Sequence, residues 1–198
     1  LDDSILFTGD ATTLGDSCGQ AVAAAGDVNA DGFADLVVSA PRASVSGRLV
    51  LVTVISGATT GVLYSWTSAV TGIDHVNEFF GWRLAGAGDV NGDGFADVMI
   101  GAPFLPDDGQ LVVPGGPWAD DFVTVLSGFD GSVLHYMTAD SRYQRFGSAV
   151  AGIGDFNGDG SADFAIGTRQ DVSAADSRGS VRVYSGATGQ LLRWLRNG

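Results

Sequence analysis

The chain has 198 residues, 10 Lys plus Arg against 23 Asp plus Glu, and a formal net charge of -13. Every base is Arg and every acid except Glu78 is Asp, so the residues that usually coat helices are almost absent, while 30 glycines among many Val, Thr, Phe and Tyr point to short strands and tight turns. The arginines form no basic stripe, which excludes a nucleic-acid partner, and no apolar run reaches the ~18 residues that membrane insertion would need.

In chain order, residues 1–13 come first and carry Ser4-Ile-Leu-Phe7, which reads as the outer strand of a preceding blade or a linker. The start at Leu1, with no signal peptide, reads as a mature form or a piece excised from something longer. Gly15-Asp-Ser17-Cys-Gly19 matches the G-x-S-x-G elbow formally, but that motif needs a strand before it and a helix after it, and a first strand follows Gly19 instead. The single Cys18 forms no internal disulfide and reads as a buried, inert thiol.

Three units then repeat with periods of 62 and 66 residues. The first has a Gly/Ala-rich stretch at 19–25, then Gly-Asp-Val-Asn-Ala-Asp-Gly-Phe-Ala-Asp at 26–35, an apolar run at 36–38, a run ending at Ser56-Gly57 and a last run at 62–66. The second repeats this order at 81–87, 88–97, 98–100, Ser127-Gly128 and 133–137, and the third at 147–153, 154–163, 164–166, Ser185-Gly186 and 191–195. Four short strands per unit make an antiparallel meander, and a meander repeated at this period predicts an all-β fold of β-propeller blades. The expected blades span about 14–66, 76–137 and 142–196 within a single domain, 1–198.

Three blades are too few for a ring, which takes about four to eight. Two readings stay open: a homodimer closing a six-bladed ring, or a chain that is part of a longer propeller.

Each repeated loop reads Asp-x-Asn-x-Asp-Gly-x-x-Asp. Side-chain oxygens come from Asp27, Asn29, Asp31 and Asp35; from Asp89, Asn91, Asp93 and Asp97; and from Asp155, Asn157, Asp159 and Asp163. Position 7 adds a backbone carbonyl, from Phe33, Phe95 and Ser161, so its side chain is free to vary. An oxygen-only set on a flexible turn suits Ca²⁺, with three sites expected; Mg²⁺ wants stricter octahedral geometry, and Zn²⁺ wants the His or Cys that the loops lack.

Phe80-Gly81 before the second loop and Gly101-Ala102-Pro103 after it resemble the FG-GAP repeat of integrin α-subunit propellers. The third unit keeps Phe146-Gly147 but has Gly167-Thr168-Arg169, and the first has Cys18-Gly19 and Ser39-Ala40-Pro41. The resemblance implies a calcium-bearing β-propeller at the cell surface or outside the cell, used in adhesion or in binding a protein or glycan.

In such a meander the loops and the Ser-Gly turns share one end of the blade, and the remaining turns collect at the other. That other end holds the 104–121 loop with Asp107, Asp108, Trp118, Asp120 and Asp121, and also His75, Glu78, Arg142, Tyr143 and Arg145. Trp118 reads as packing its loop onto its blade, the charged group as solvated surface, and His135 as a strand residue. The functional expectation is a non-catalytic calcium-binding module; the alternatives are the propeller of a secreted polysaccharide-acting enzyme and a purely architectural segment of a large surface protein.

Overall fold

The computed structural model describes residues 19–40, 51–67, 79–103, 121–139, 145–169 and 179–196. The expected strand at residues 4–7, the Ser17 elbow, Cys18, Trp118 and its neighbours at 104–120, His75, Glu78, Arg142 and Tyr143 lie outside them.

Strands fall where period-two apolar patterns are bounded by Gly, Asn and Asp turns. The first unit is β1 (Val22–Gly26), β2 (Asp35–Ala40), β3 (Leu51–Ile55) and β4 (Val62–Thr67). The second is β5 (Arg83–Gly88), β6 (Asp97–Ala102), β7 (Phe122–Leu126) and β8 (Val133–Thr138). The third is β9 (Phe146–Gly154), β10 (Asp163–Thr168), β11 (Ser180–Tyr184) and β12 (Leu191–Arg196). Each unit is one four-stranded antiparallel sheet with its strands in chain order, so the expected propeller blades are present. In all three, the register shifts at the residues just before the loop, bending the first strand into it.

The blades stack face to face through their first strands. Val37, Val52 and Val54 of the first blade meet Val98, Ile100 and Leu126 of the second, all from strands two and three of their sheets, in one buried cluster. Met99, Val123 and Val125, alternating with those residues along the second blade, face Phe146, Phe164 and Ile166 of the third. The middle blade is therefore buried on both faces, and its β6 and β7 are buried throughout. Each fully buried Val, Ile or Phe contributes about 1.5–3 kcal/mol, so these two junctions hold most of the fold's stability.

The Gly/Ala composition of the first strands follows from this stacking. A Cβ on Gly86 would lie 2.8 Å from the Ala24 carbonyl oxygen, and one on Gly152 would lie 2.5 Å from that of Gly86. Any larger residue would force the blades apart.

Candidate metal-binding loops

Each repeated loop joins the first two strands of its blade, and its own side chains fold it. In the first loop Asp27 Oδ1 accepts from the Asp31 N–H at 3.0 Å and Oδ2 from the Gly32 N–H at 2.8 Å. Asn29 Oδ1 accepts from the Asp31 N–H at 3.1 Å, and Asp31 Oδ1 from the Phe33 N–H at 2.9 Å. The Asn29 amide donates to Asp31 Oδ2 at 2.8 Å. The second and third loops repeat the pattern: Asp89 and Asp155 accept from the N–H groups of Asp93 and Gly94 and of Asp159 and Gly160, and Asn91 and Asn157 donate to Asp93 and Asp159. These are nested Asx turns.

The ninth-position Asp plays a different part. Asp35 Oδ2 accepts from the Val28 N–H at 2.8 Å and Oδ1 from the Gly57 N–H at 2.9 Å, tying the loop to the Ser-Gly turn of its own blade. Asp97 does the same with Val90 and Gly128, and Asp163 with Phe156 and Gly186. All three are buried. Loops and Ser-Gly turns therefore share one end of the blade, as the meander requires.

Burial, helped by the nearby charges of Asp93 and Asp89, pushes the Asp97 carboxyl up to about 6, against the opposing pull of the Gly128 and Val90 N–H groups. Asp159, exposed, is held below the usual carboxylate range by the Ser161 N–H and the Asn157 amide.

The structure thus gathers positions 1, 3 and 5 of each loop into one network and sets position 9 against its base. Among the described residues, no three His, Cys, Asp or Glu side chains converge into a ready metal cluster. The donor chemistry nonetheless fits a hard cation: each loop offers only oxygens, and a carboxylate oxygen that accepts one N–H keeps a second lone pair.

Two features escape a reading by spacing. Position 4 needs left-handed backbone: Gly92 and Gly158 have φ of 75° and 78°, and Ala30 takes the same turn at 56°. The alternation of Gly with Ala at this position is the only trace of that in the sequence. Second, the loops are linked from blade to blade. The Ala96 N–H donates to the Asp27 carbonyl at 2.9 Å and the Ala162 N–H to the Asp89 carbonyl at 2.8 Å. Fourth strands add ties, with the Tyr64 hydroxyl donating to the Phe129 carbonyl at 2.7 Å, Trp66 Nε1 to that of Gly131 at 3.1 Å, and His135 Nε2 meeting the Gly186 carbonyl. His135 is thus a strand residue, as expected, with a junction to hold.

Blades in serial order, each with an acidic loop bonded to the next, define an arc of a repeat β-propeller. The profile of the FG-GAP repeat matches residues 19–55, 80–113 and 146–184, and the chain belongs to the FG-GAP repeat family. It is 32% identical over 170 residues to integrin alpha-V of Gallus gallus and 31% identical over 170 residues to integrin alpha-5 of Xenopus laevis. Both matches cover 84% of this chain but only 15% of the relative's length. Among solved structures, rhamnogalacturonan lyase YesW aligns over 87% of this chain and 33% of its own, with a TM-score of 0.50 and 14% identity, a likeness of fold alone. Among the described residues, no helix is long and apolar enough to cross a membrane.

Proposed function

We propose that the chain is a calcium-stabilised, non-catalytic propeller module of an extracellular or cell-surface protein, its single domain serving to bind a protein or glycan. The observation that carries this is the recurrence, three times, of one oxygen-only loop with one hydrogen-bond scaffold. Asp, Asn and Asp at positions 1, 3 and 5, the carbonyl at position 7 and Asp at position 9 are the ligands in each loop, Phe33, Phe95 and Ser161 supplying the carbonyl. The ion supplies positive charge that offsets the mutual repulsion of three carboxylates within nine residues and links each loop to the buried Asp at its base. Similarity to integrin alpha subunits supports the cell-surface setting.

The end faces support a partner of the same kind. Ala34, which corresponds to Ala96 and Ala162, is exposed on the first blade, and so are Gly154 and Asp155 on the last. They repeat the two sides of the inner junctions, so the open faces take a further FG-GAP blade, from a second copy closing a six-bladed ring or from the rest of a longer propeller.

Thermal unfolding in excess chelator and in excess calcium tests the cation. Calcium at 100-fold its dissociation constant stabilises by about 2.7 kcal/mol per site, and each kcal/mol moves the melting temperature of a chain of this size by about 2–4 °C. Three sites therefore give a rise of more than 10 °C on this scale. An unchanged melting temperature in chelator would sink the reading.

A further inference from the structure

At the end of the blades opposite the loops lies an open cavity of about 620 Å³ between the second and third blades. It exists because the third unit departs from the second at four aligned positions. Ala102, Phe122 and Thr138 stand side by side across β6, β7 and β8, and the residues in the same register across β10, β11 and β12 are Thr168, Ser180 and Arg196. Next in the chain, Pro103 is replaced by Arg169. In the second blade the Phe122 ring fills its site, 6.3 Å from Phe80 and 5.2 Å from Tyr136. Ser180 leaves the corresponding space open.

The lining is unlike the rest of the chain. Arg83, Arg169 and Arg196 all border the cavity, and among the described residues no Asp or Glu does, although acids outnumber bases 23 to 10. Arg83 is held in place by hydrogen bonds from Nε to the Ser148 carbonyl and from Nη1 to the Trp82 carbonyl, both at 2.9 Å. Arg169 is exposed. Thr168 lines the cavity at 3% exposure, and its Oγ1 is a buried oxygen with no partner among the described residues. Trp82 and Pro103 add an apolar wall.

We propose that this cavity binds a carboxylated sugar, with guanidinium groups of Arg169 and Arg196 taking the carboxylate, Thr168 and Ser180 serving the hydroxyls, and Trp82 backing the ring face. Guanidinium forks match carboxylates in plane and in spacing, and an indole offers a flat apolar surface to a sugar's C–H face. An acidic peptide fits less well. Extended peptides gain affinity by adding along a strand edge, whereas Thr168, Ser180 and Arg196 stand in a row across β10, β11 and β12, at right angles to the β12 edge. The inference rests on the reading of the chain as a binding module, but not on the loops, which lie at the opposite end.

Calorimetric titration of the full chain in saturating calcium tests it with three probes: a uronate trisaccharide, its carboxyl-reduced neutral counterpart and tri-aspartate. The uronate trisaccharide binds, the neutral counterpart binds at least tenfold more weakly, and raising the salt weakens the former more than the latter. Arg169→Ala, a change at an exposed position, loses at least tenfold. Ser180→Phe restores the second unit's residue and abolishes binding without lowering the melting temperature; should it fail to fold, Arg169→Ala decides alone. No saturation by the uronate trisaccharide, equal binding of the neutral sugar, equal or tighter binding of tri-aspartate, or unchanged affinity in Arg169→Ala overturns the proposal. Because the chelator experiment reads melting temperature without any sugar, failure of the calcium reading and failure of this one are distinguishable.

Discussion

The loops at 27–35, 89–97 and 155–163 share one framework of internal hydrogen bonds, but not the same surroundings. Val28 and Val90, at position 2 of the first two loops, are fully buried, whereas Phe156 at that position of the third is 55% exposed. The glycine before each loop shows the same contrast. A Cβ on Gly26 would lie 2.6 Å from Ala96 Cβ and one on Gly88 2.7 Å from Ala162 Cβ, while one on Gly154 would meet none of the described residues within 4 Å. Nine residues therefore suffice to set a loop's shape, and the next blade sets its burial. The scaffold is local and the packing is borrowed.

The largest expected effect comes from cutting the tie between a loop and its own blade. Gly186 sits so close to the Ala162 carbonyl oxygen that a Cβ has no room, and its N–H donates to the buried Asp163. Gly186→Ala combines backbone displacement with a strained bond to a buried carboxylate, a loss of about 4 kcal/mol by denaturant unfolding. Gly158→Ala, within the same loop, puts a Cβ into open space at φ 78° and costs only the left-handed backbone, about 1 kcal/mol. Equal losses would mean that the loop's shape, rather than its anchorage, carries the stability.

The blades and loops were legible in the sequence because each is written in short-range chemistry: Asx turns by Asp and Asn two residues apart, and strands by alternation between glycine punctuation. The junctions were less so. Nothing in the spacing tells that Ala96 and Ala162 donate to the loop before them, because the contact joins residues 69 and 73 positions apart that are conformationally ordinary. Nor does it tell that the ninth-position Asp is a buried anchor, since Asp at a loop's end is equally suited to solvent. The departures at Thr168 and Arg169 were visible as breaks in the repeat signature. What joined them to Ser180 and Arg196 was the register of β10, β11 and β12, which only the fold supplies.

Burial of the middle loop's anchor sharpens the comparison through pH. Asp97 titrates near 6 in the folded chain against about 3.8 unfolded. The folded state holds its proton more tightly, so without a cation this group's contribution to stability is greatest below pH 4 and falls as pH rises through 6, by up to roughly 3 kcal/mol at 1.36 kcal/mol per pKa unit. Asp159, shifted downwards, works the other way: its contribution is present above its unfolded pKa and is lost as pH falls. Asp97→Asn, followed by urea unfolding from pH 4 to 7 in chelator, removes the falling component. A variant whose stability keeps the wild-type slope would show that Asp97 is ionised throughout and that the burial has no electrostatic cost.

The finest test compares one substitution on a covered face and on an open one. Gly88 and Gly154 occupy the same place in their units, with φ of 79° and 70°, so alanine pays the same backbone strain at both. At Gly88 the new methyl also runs into Ala162 Cβ and strains the Ala162 N–H bond to the Asp89 carbonyl, adding about 1–2 kcal/mol by overpacking. In dilute solution Gly88→Ala is therefore the more destabilised variant by that margin. As protein concentration rises, the gap narrows if a second copy docks against Gly154, because the open glycine then acquires the neighbour that Gly88 already has. A gap that holds constant while sedimentation shows association would place the association elsewhere than at the open blade face.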